Sequence, residues 1–416
     1  MKPRLLTLIA PALVSITASA AFGESPVKAE QETLIPKRET GVLAFLKKHP
    51  EFDGRGTVIA VFDTGVDPAA AGLLKTSTGE RKIVDVIDAT GSGDVDTSHT
   101  VAASKEGTFE GLTGRTLTLP KEIQNPSGKF HLGIKRARDL FHGGVNSRIS
   151  RLRSDAWQRE LNVIKDKRIG DRRAEEEKGG RSAFKKAPAD LSLKEKDEIA
   201  REQLLESLEK DFATSDPGPV YDCVVWSDGG QFHVIVDTDE DGDLADEKIL
   251  RPFGVAGEYG ALGEEEASTF AVQVYEKGNL LSLVTVSGSH GSHVASIAAA
   301  HFPGVLHRDG VAPGARILSV KIGDTRLGGS SSGVGEMRGV AACAQYGVDI
   351  MNASWGGASQ YQDGQHSGAR IYNLLVEKYG VTAFISAGNG GPALSTLGSP
   401  GGEASSVIGV GAYVSS

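Results

Sequence analysis

The chain has 416 residues, with 45 Lys and Arg against 54 Asp and Glu, a formal charge of −9 at pH 7, 39% hydrophobic and 24% charged residues. This is the balance of a globular protein of about two or three domains, and it gives no reason to expect nucleic acid or an anionic membrane surface as the main partner. Cys223 and Cys343 are too few for a metal site of paired CxxC motifs, and are expected to stay unpaired because they fall in a strand and a helix far apart in sequence.

Along the chain, Lys2 and Arg4 precede the apolar run "LLTLIAPALVSITASA", with Ala18, Ala20 and Ala21 at its exit. Residues 1–23 therefore read as a secretory signal peptide, and the protein is expected to be exported, periplasmic or extracellular, meeting a membrane only during export. Residues 24–86 contain "TVIAVFDTGVD", a strand that ends at Asp63. Residues 283–416 carry "ARILSVKI", "VDIMNAS", "VTAFISAGN" and "SSVIGVGAYV", alternating with Gly/Ala-rich helical segments. Continuous apolar strands separated by helices predict an α/β fold, a doubly wound parallel sheet with helices on both faces. Catalytic groups in such sheets collect at the C-terminal strand ends.

Residues 87–282 have a different texture and read as a large α+β insertion. The segment 147–212 is dense in Lys, Arg and Glu, and Leu193, Ile199, Leu204, Leu205 and Leu208 fall near helical spacing, which predicts long charged surface helices. "TSDPGP" then breaks the helix, and 220–282 alternates as β-hairpins. Aspartates 237, 239, 241 and 243 around Gly242 imitate a calcium loop, but Lys248 stands where that loop wants its bidentate Glu. A turn between strands is the expectation there, with calcium binding as the alternative, and no metal ligand or cofactor is assigned.

Asp-Thr-Gly at 63–65 suits two protease chemistries: two carboxylates sharing a proton, or one aspartate orienting a histidine. The first needs a second Asp-Thr/Ser-Gly. None occurs, since Asp237-Thr238 runs into Asp239 and Asp324-Thr325 into Arg326. The second needs a histidine, and "SGSHGSHVASIAAA" supplies His290 at the start of a predicted helix, with His293 one turn on as a hydrogen-bonded structural residue. In "FISAGNGGP" a strand runs into Gly388 and Asn389, whose amide is placed to donate to an oxyanion. Aspartate before histidine excludes the serine-first and histidine-first orders. "GSSSG" formally offers Ser331 as a nucleophile, but its partners would have to be Asp349 or Asp363 with His366, and a Gly/Ser loop needs no catalytic role.

The chain resembles subtilisin-like serine proteases (subtilases), specifically those of the tripeptidyl-peptidase II type. The resemblance is carried by "PKRETGVLAFLKKHPEFDGRGTVIAVFDTGVDPAAAG", "YDCVVWSDGG", "DTDEDGDL", "HGSHVASIAA", "VAPGARILSVKIGDTRLG" and "SAGNGGPALSTLGSPGGEASSVIGVGAYVS". The 227-residue separation of Asp63 and His290 matches the insertion of that family. The resemblance implies Asp63 as orienter, His290 as general base, Asn389 as oxyanion donor, and Ser354, Trp355, Gly356 and Gly388 as the edge and cleft that take a peptide or protein substrate. It also implies a nucleophilic serine in a Gly-Thr-Ser motif beyond Ser416. The family grips the substrate's free N-terminal ammonium with two glutamates. Ser331 and Gly357 stand at those positions here, with Glu336 shifted in register, so endopeptidase action is the expectation. The alternative is a catalytically inactive, peptide-binding subtilase-like protein.

Overall fold

A computed structural model describes residues 35–177, most of 191–210, 216–358 and 363–413. The proposed signal peptide and parts of the charged segment lie outside the described residues.

Six strands form one parallel sheet: β1 (Val58–Asp63), β2 (Ile83–Asp88), β3 (Arg316–Lys321), β4 (Ile350–Ala353), β5 (Thr382–Ser386) and β6 (Ile408–Val410), in the order β6-β5-β4-β1-β3-β2. All six residues of β1 are buried, which is why "VIAVFD" reads as an unbroken apolar run. Successive side chains point to opposite faces. Ile59 and Val61 pack with Ala295 and Ala299 of helix α1 (His290–Ala299). Ala60 and Phe62 pack on the other face with Val340 and Cys343 of α2 (Gly333–Tyr346) and Tyr372 and Leu375 of α3 (Ser367–Tyr379). The doubly wound sheet expected from the sequence is therefore present, with β1 at its middle. Cys343 and Cys223 are both buried and free.

The segment between β2 and α1 builds cores of its own. His99–Ala102, Lys129–Arg136, Val220–Ser227 and Phe232–Val236 form an antiparallel sheet. Thr269–Tyr275 and Leu280–Val284 form a second with Gly260–Ala261 and Asp94–Asp96. Gly143–Glu177 is one 35-residue helix. Strands at 94–96, 99–102, 108–110, 116–118 and 129–136 precede that helix, where the sequence reading placed none. Four of these five run only three or four residues, too short to show an alternating pattern.

Candidate active site

Asp63 ends β1 and its side chain is fully buried. One carboxylate oxygen accepts the Thr64 backbone N–H at 2.7 Å. Both oxygens face His290 Nδ1, at 2.8 and 2.9 Å. A carboxylate only accepts, so the proton of the neutral ring sits on Nδ1 and the lone pair on Nε2. Nε2 has no hydrogen-bond partner among the described residues, and the His290 side chain is 52% exposed. The pair thus presents a basic nitrogen to solvent, its ring held from behind.

Two tight turns bring the partners together. Thr64 Oγ1 donates to the Gly288 carbonyl and accepts the Gly291 N–H, both at 2.9 Å, clasping the end of β1 to the start of α1. A Cβ on Gly291 would lie 2.3 Å from the Gly65 carbonyl oxygen, so glycine is required where the turns touch. Ser292 Oγ accepts from Asp67 N–H at 2.9 Å, and Thr269 of the insertion donates to Asp67 Oδ1 at 2.7 Å. Thr64 was not singled out from the sequence; its place between Asp63 and Gly65 was the available signal. His293 is exposed and its ring makes no hydrogen bond among the described residues, contrary to the expectation of a bonded structural histidine. One turn along α1, it faces solvent instead of the sheet.

Strands β1, β4 and β5 are adjacent and parallel, so residues leaving their C-terminal ends share one edge of the sheet. Asp63 ends β1, Ser354, Trp355 and Gly356 follow β4, and Gly388 and Asn389 follow β5. A cleft of about 580 Å³ is lined by Ser354, Trp355, Gly356, Ser386, Gly388 and Asn389. Asn389 is exposed in it. Gly356 makes no hydrogen bond among the described residues, whereas Gly357 is paired in both directions with Ser399, at 3.1 and 2.8 Å. The open edge ends at Gly356.

A second hollow, about 710 Å³, lies on the other side of Trp355 and is lined in part by Ser331, Glu336, Gly357 and His366. Trp355 Nε1 donates to Ser331 Oγ at 3.0 Å, and Ser331 Oγ donates to Glu336 Oε1 at 2.8 Å. Burial pushes the Glu336 carboxyl up, against the opposing pull of the Ser331 hydrogen bond and the nearby His366. The Ser331 elbow finds no Asp–His pair: Asp349 accepts the Val58 N–H at the start of β1, Asp363 accepts the Gln365 N–H at 2.9 Å, and His366 Nδ1 caps α3 by accepting the Gly368 N–H at 3.2 Å. Within "GSSSG" it is Ser332 that has a structural role, capping α2 by accepting the Gly335 N–H at 3.1 Å.

The sequence profile of the subtilase family matches residues 54–416. Tripeptidyl-peptidase 2 of Oryza sativa subsp. japonica is 42% identical over 397 residues, covering 92% of this chain and 28% of that protein. The Caenorhabditis elegans protein of the same name is 41% identical over 389 residues, covering 92% and 27%. The crystal structure of Tripeptidyl Peptidase 2 (TPP II) matches with a TM-score of 0.68 at 31% identity, covering 91% of this chain and 30% of that one. The chain thus spans under a third of the length of these relatives. It belongs to the subtilase family, and within that family its sequence and fold are similar to those of the tripeptidyl-peptidase II type.

Proposed function

We propose that the protein containing this chain is a serine peptidase in which His290, oriented by Asp63, takes the proton of a serine supplied beyond Ser416. The observation that carries this reading is the His290–Asp63 pair at the C-terminal edge of the sheet, with Nε2 unengaged. The serine attacks the scissile carbonyl, His290 passes the proton to the leaving amine, and water then releases the acyl group by the same base. Asn389 donates to the tetrahedral oxyanion. The substrate lies as a strand along Ser354–Gly356, where backbone pairing gives affinity without requiring particular side chains.

Endopeptidase action is the proposed mode, supported by Ser331 and Gly357 at the two positions where the family grips an N-terminal ammonium. One observation favours the other mode: Glu336 brings a carboxylate to Ser331 from one turn into α2. Full-length protein given N-blocked and free-N-terminal peptides separates them. Internal cleavage of blocked peptides is expected; cutting only free-N-terminal peptides in threes, with Glu336→Gln abolishing it, would establish the exopeptidase mode instead. Export through residues 1–23 is likewise proposed from the charge and apolar pattern there, and fractionation of cells expressing the full-length protein tests it.

A further inference from the structure

We infer that the loop Asp237–Asp243 of the insertion binds a calcium ion. The inference is independent of the peptidase reading. Asp237 directly follows the strand Phe232–Val236, is 0% exposed, and neither of its carboxylate oxygens has a partner in good hydrogen-bond geometry, the Gly242 backbone N–H being the one donor that faces them from the loop. Arg115 approaches to 3.7 Å, but its guanidinium is already committed to Glu240 at 2.7 Å, Asp222 at 3.3 Å and the Val220 carbonyl at 2.8 Å. A buried carboxylate so weakly compensated is stabilised by a cation that can reach its oxygens directly.

One oxygen each of Asp237, Asp239 and Asp241 lies within 4.8 Å of the other two. That is about twice a calcium–oxygen bond of 2.3–2.6 Å, the widest separation two ligands of one ion can have. The donors are carboxylate oxygens, a hard set that suits calcium, with its six to eight flexible ligands, better than zinc. Lys248, which counted against a metal in the sequence, donates to the Tyr259 carbonyl at 2.8 Å. Glu247, one residue earlier, lies against the loop instead, accepting from Thr238 N–H at 2.5 Å and Thr238 Oγ1 at 2.6 Å. At the sixth loop position Gly242 has φ 83°, and a Cβ there would lie 2.5 Å from the Thr116 carbonyl oxygen. Thr118 N–H donates to Gly242 O at 2.8 Å and Leu244 N–H to Thr118 O at 2.9 Å, so the ion would fasten the Thr108–Thr118 hairpin to the sheet beside it.

The test is calorimetric titration of the EDTA-stripped full chain with calcium chloride, paired with thermal unfolding. Wild type is expected to bind calcium saturably, with a dissociation constant of about 10⁻⁵–10⁻³ M, and to melt at a higher temperature with calcium than in EDTA. Asp239→Asn/Asp241→Asn changes two exposed side chains. It is expected to remove one binding event, or weaken it at least about tenfold, and to leave the melting temperature in EDTA unchanged. Asp237→Asn should raise the melting temperature in EDTA, by removing a buried, weakly compensated charge, and lose the calcium-dependent increment. Absence of saturable binding in wild type overturns the inference. So does a double variant that titrates like wild type, or a calcium increment that survives Asp237→Asn.

Discussion

Thr64 decides whether Asp63 and His290 meet, because its hydroxyl is at once donor to Gly288 and acceptor from Gly291. Thr64→Val keeps the shape and removes both bonds. It is expected to cost about 1–2 kcal/mol in stability and to lower kcat of the full-length peptidase, with KM little changed because the substrate edge lies on β4. A kcat equal to wild type would mean the turns hold without the clasp. Asp63→Asn tests the orienter: an amide donating to Nδ1 would force the proton onto Nε2, and kcat should fall by about 10⁴. Asn389→Ala removes one donor and should cost about 10²–10³ in kcat. Steady-state kinetics on a blocked peptide reads all three, and an Asn389→Ala effect confined to KM would argue for substrate binding in place of oxyanion stabilisation.

At the scale of elements, the insertion docks on the catalytic sheet through Asp85 of β2. Its carboxylate accepts from Gln273 Nε2 of the insertion at 2.6 Å, from its neighbour Val86 N–H at 2.8 Å, and from Tyr346 Oη at the end of α2. Burial pushes the Asp85 carboxyl up, and these donors together with Arg81 pull against it. Tyr346→Phe removes one donor to the charged form, and should destabilise the chain by about 1–3 kcal/mol near pH 7. The loss should shrink as the pH falls through the raised Asp85 pKa, since the protonated acid needs that donor less; a urea-unfolding series from neutral pH down through the carboxylate range follows it. A loss independent of pH would assign the effect to packing. None of this junction was legible in the sequence, because Asp85, Gln273 and Tyr346 are isolated polar residues in otherwise apolar runs. The central strands were legible, because residues such as Phe62 and Val61 are buried on both faces of one sheet and leave an unbroken apolar signal.

For the whole molecule, the residues that meet at the site were recognisable from short motifs, each carrying a turn that only small residues permit, as Gly291 shows. What holds the two parts of the catalytic sheet together across the insertion was not, and Lys82 is the clearest case. It is fully buried just before β2, and its ammonium donates to the Pro313 and Ala315 carbonyls ahead of β3 at 2.6 and 2.9 Å. Burial pushes its pKa down to about 8, with Asp309 and Asp53 opposing. The folded chain therefore releases this proton near pH 8, whereas the unfolded chain keeps it to about 10.4. Between those values the unfolded state binds more protons, so the Lys82 contribution to stability rises with pH, by up to about 3 kcal/mol. The buried thiols of Cys223 and Cys343 are pushed up and act in the opposite sense, so the readout is the difference between wild type and Lys82→Met. Urea unfolding from pH 7 to 10 should show that the variant's stability relative to wild type declines as the pH rises. A difference that stays constant with pH would place the Lys82 proton in the folded state throughout, held by the two carbonyls against the cost of burial.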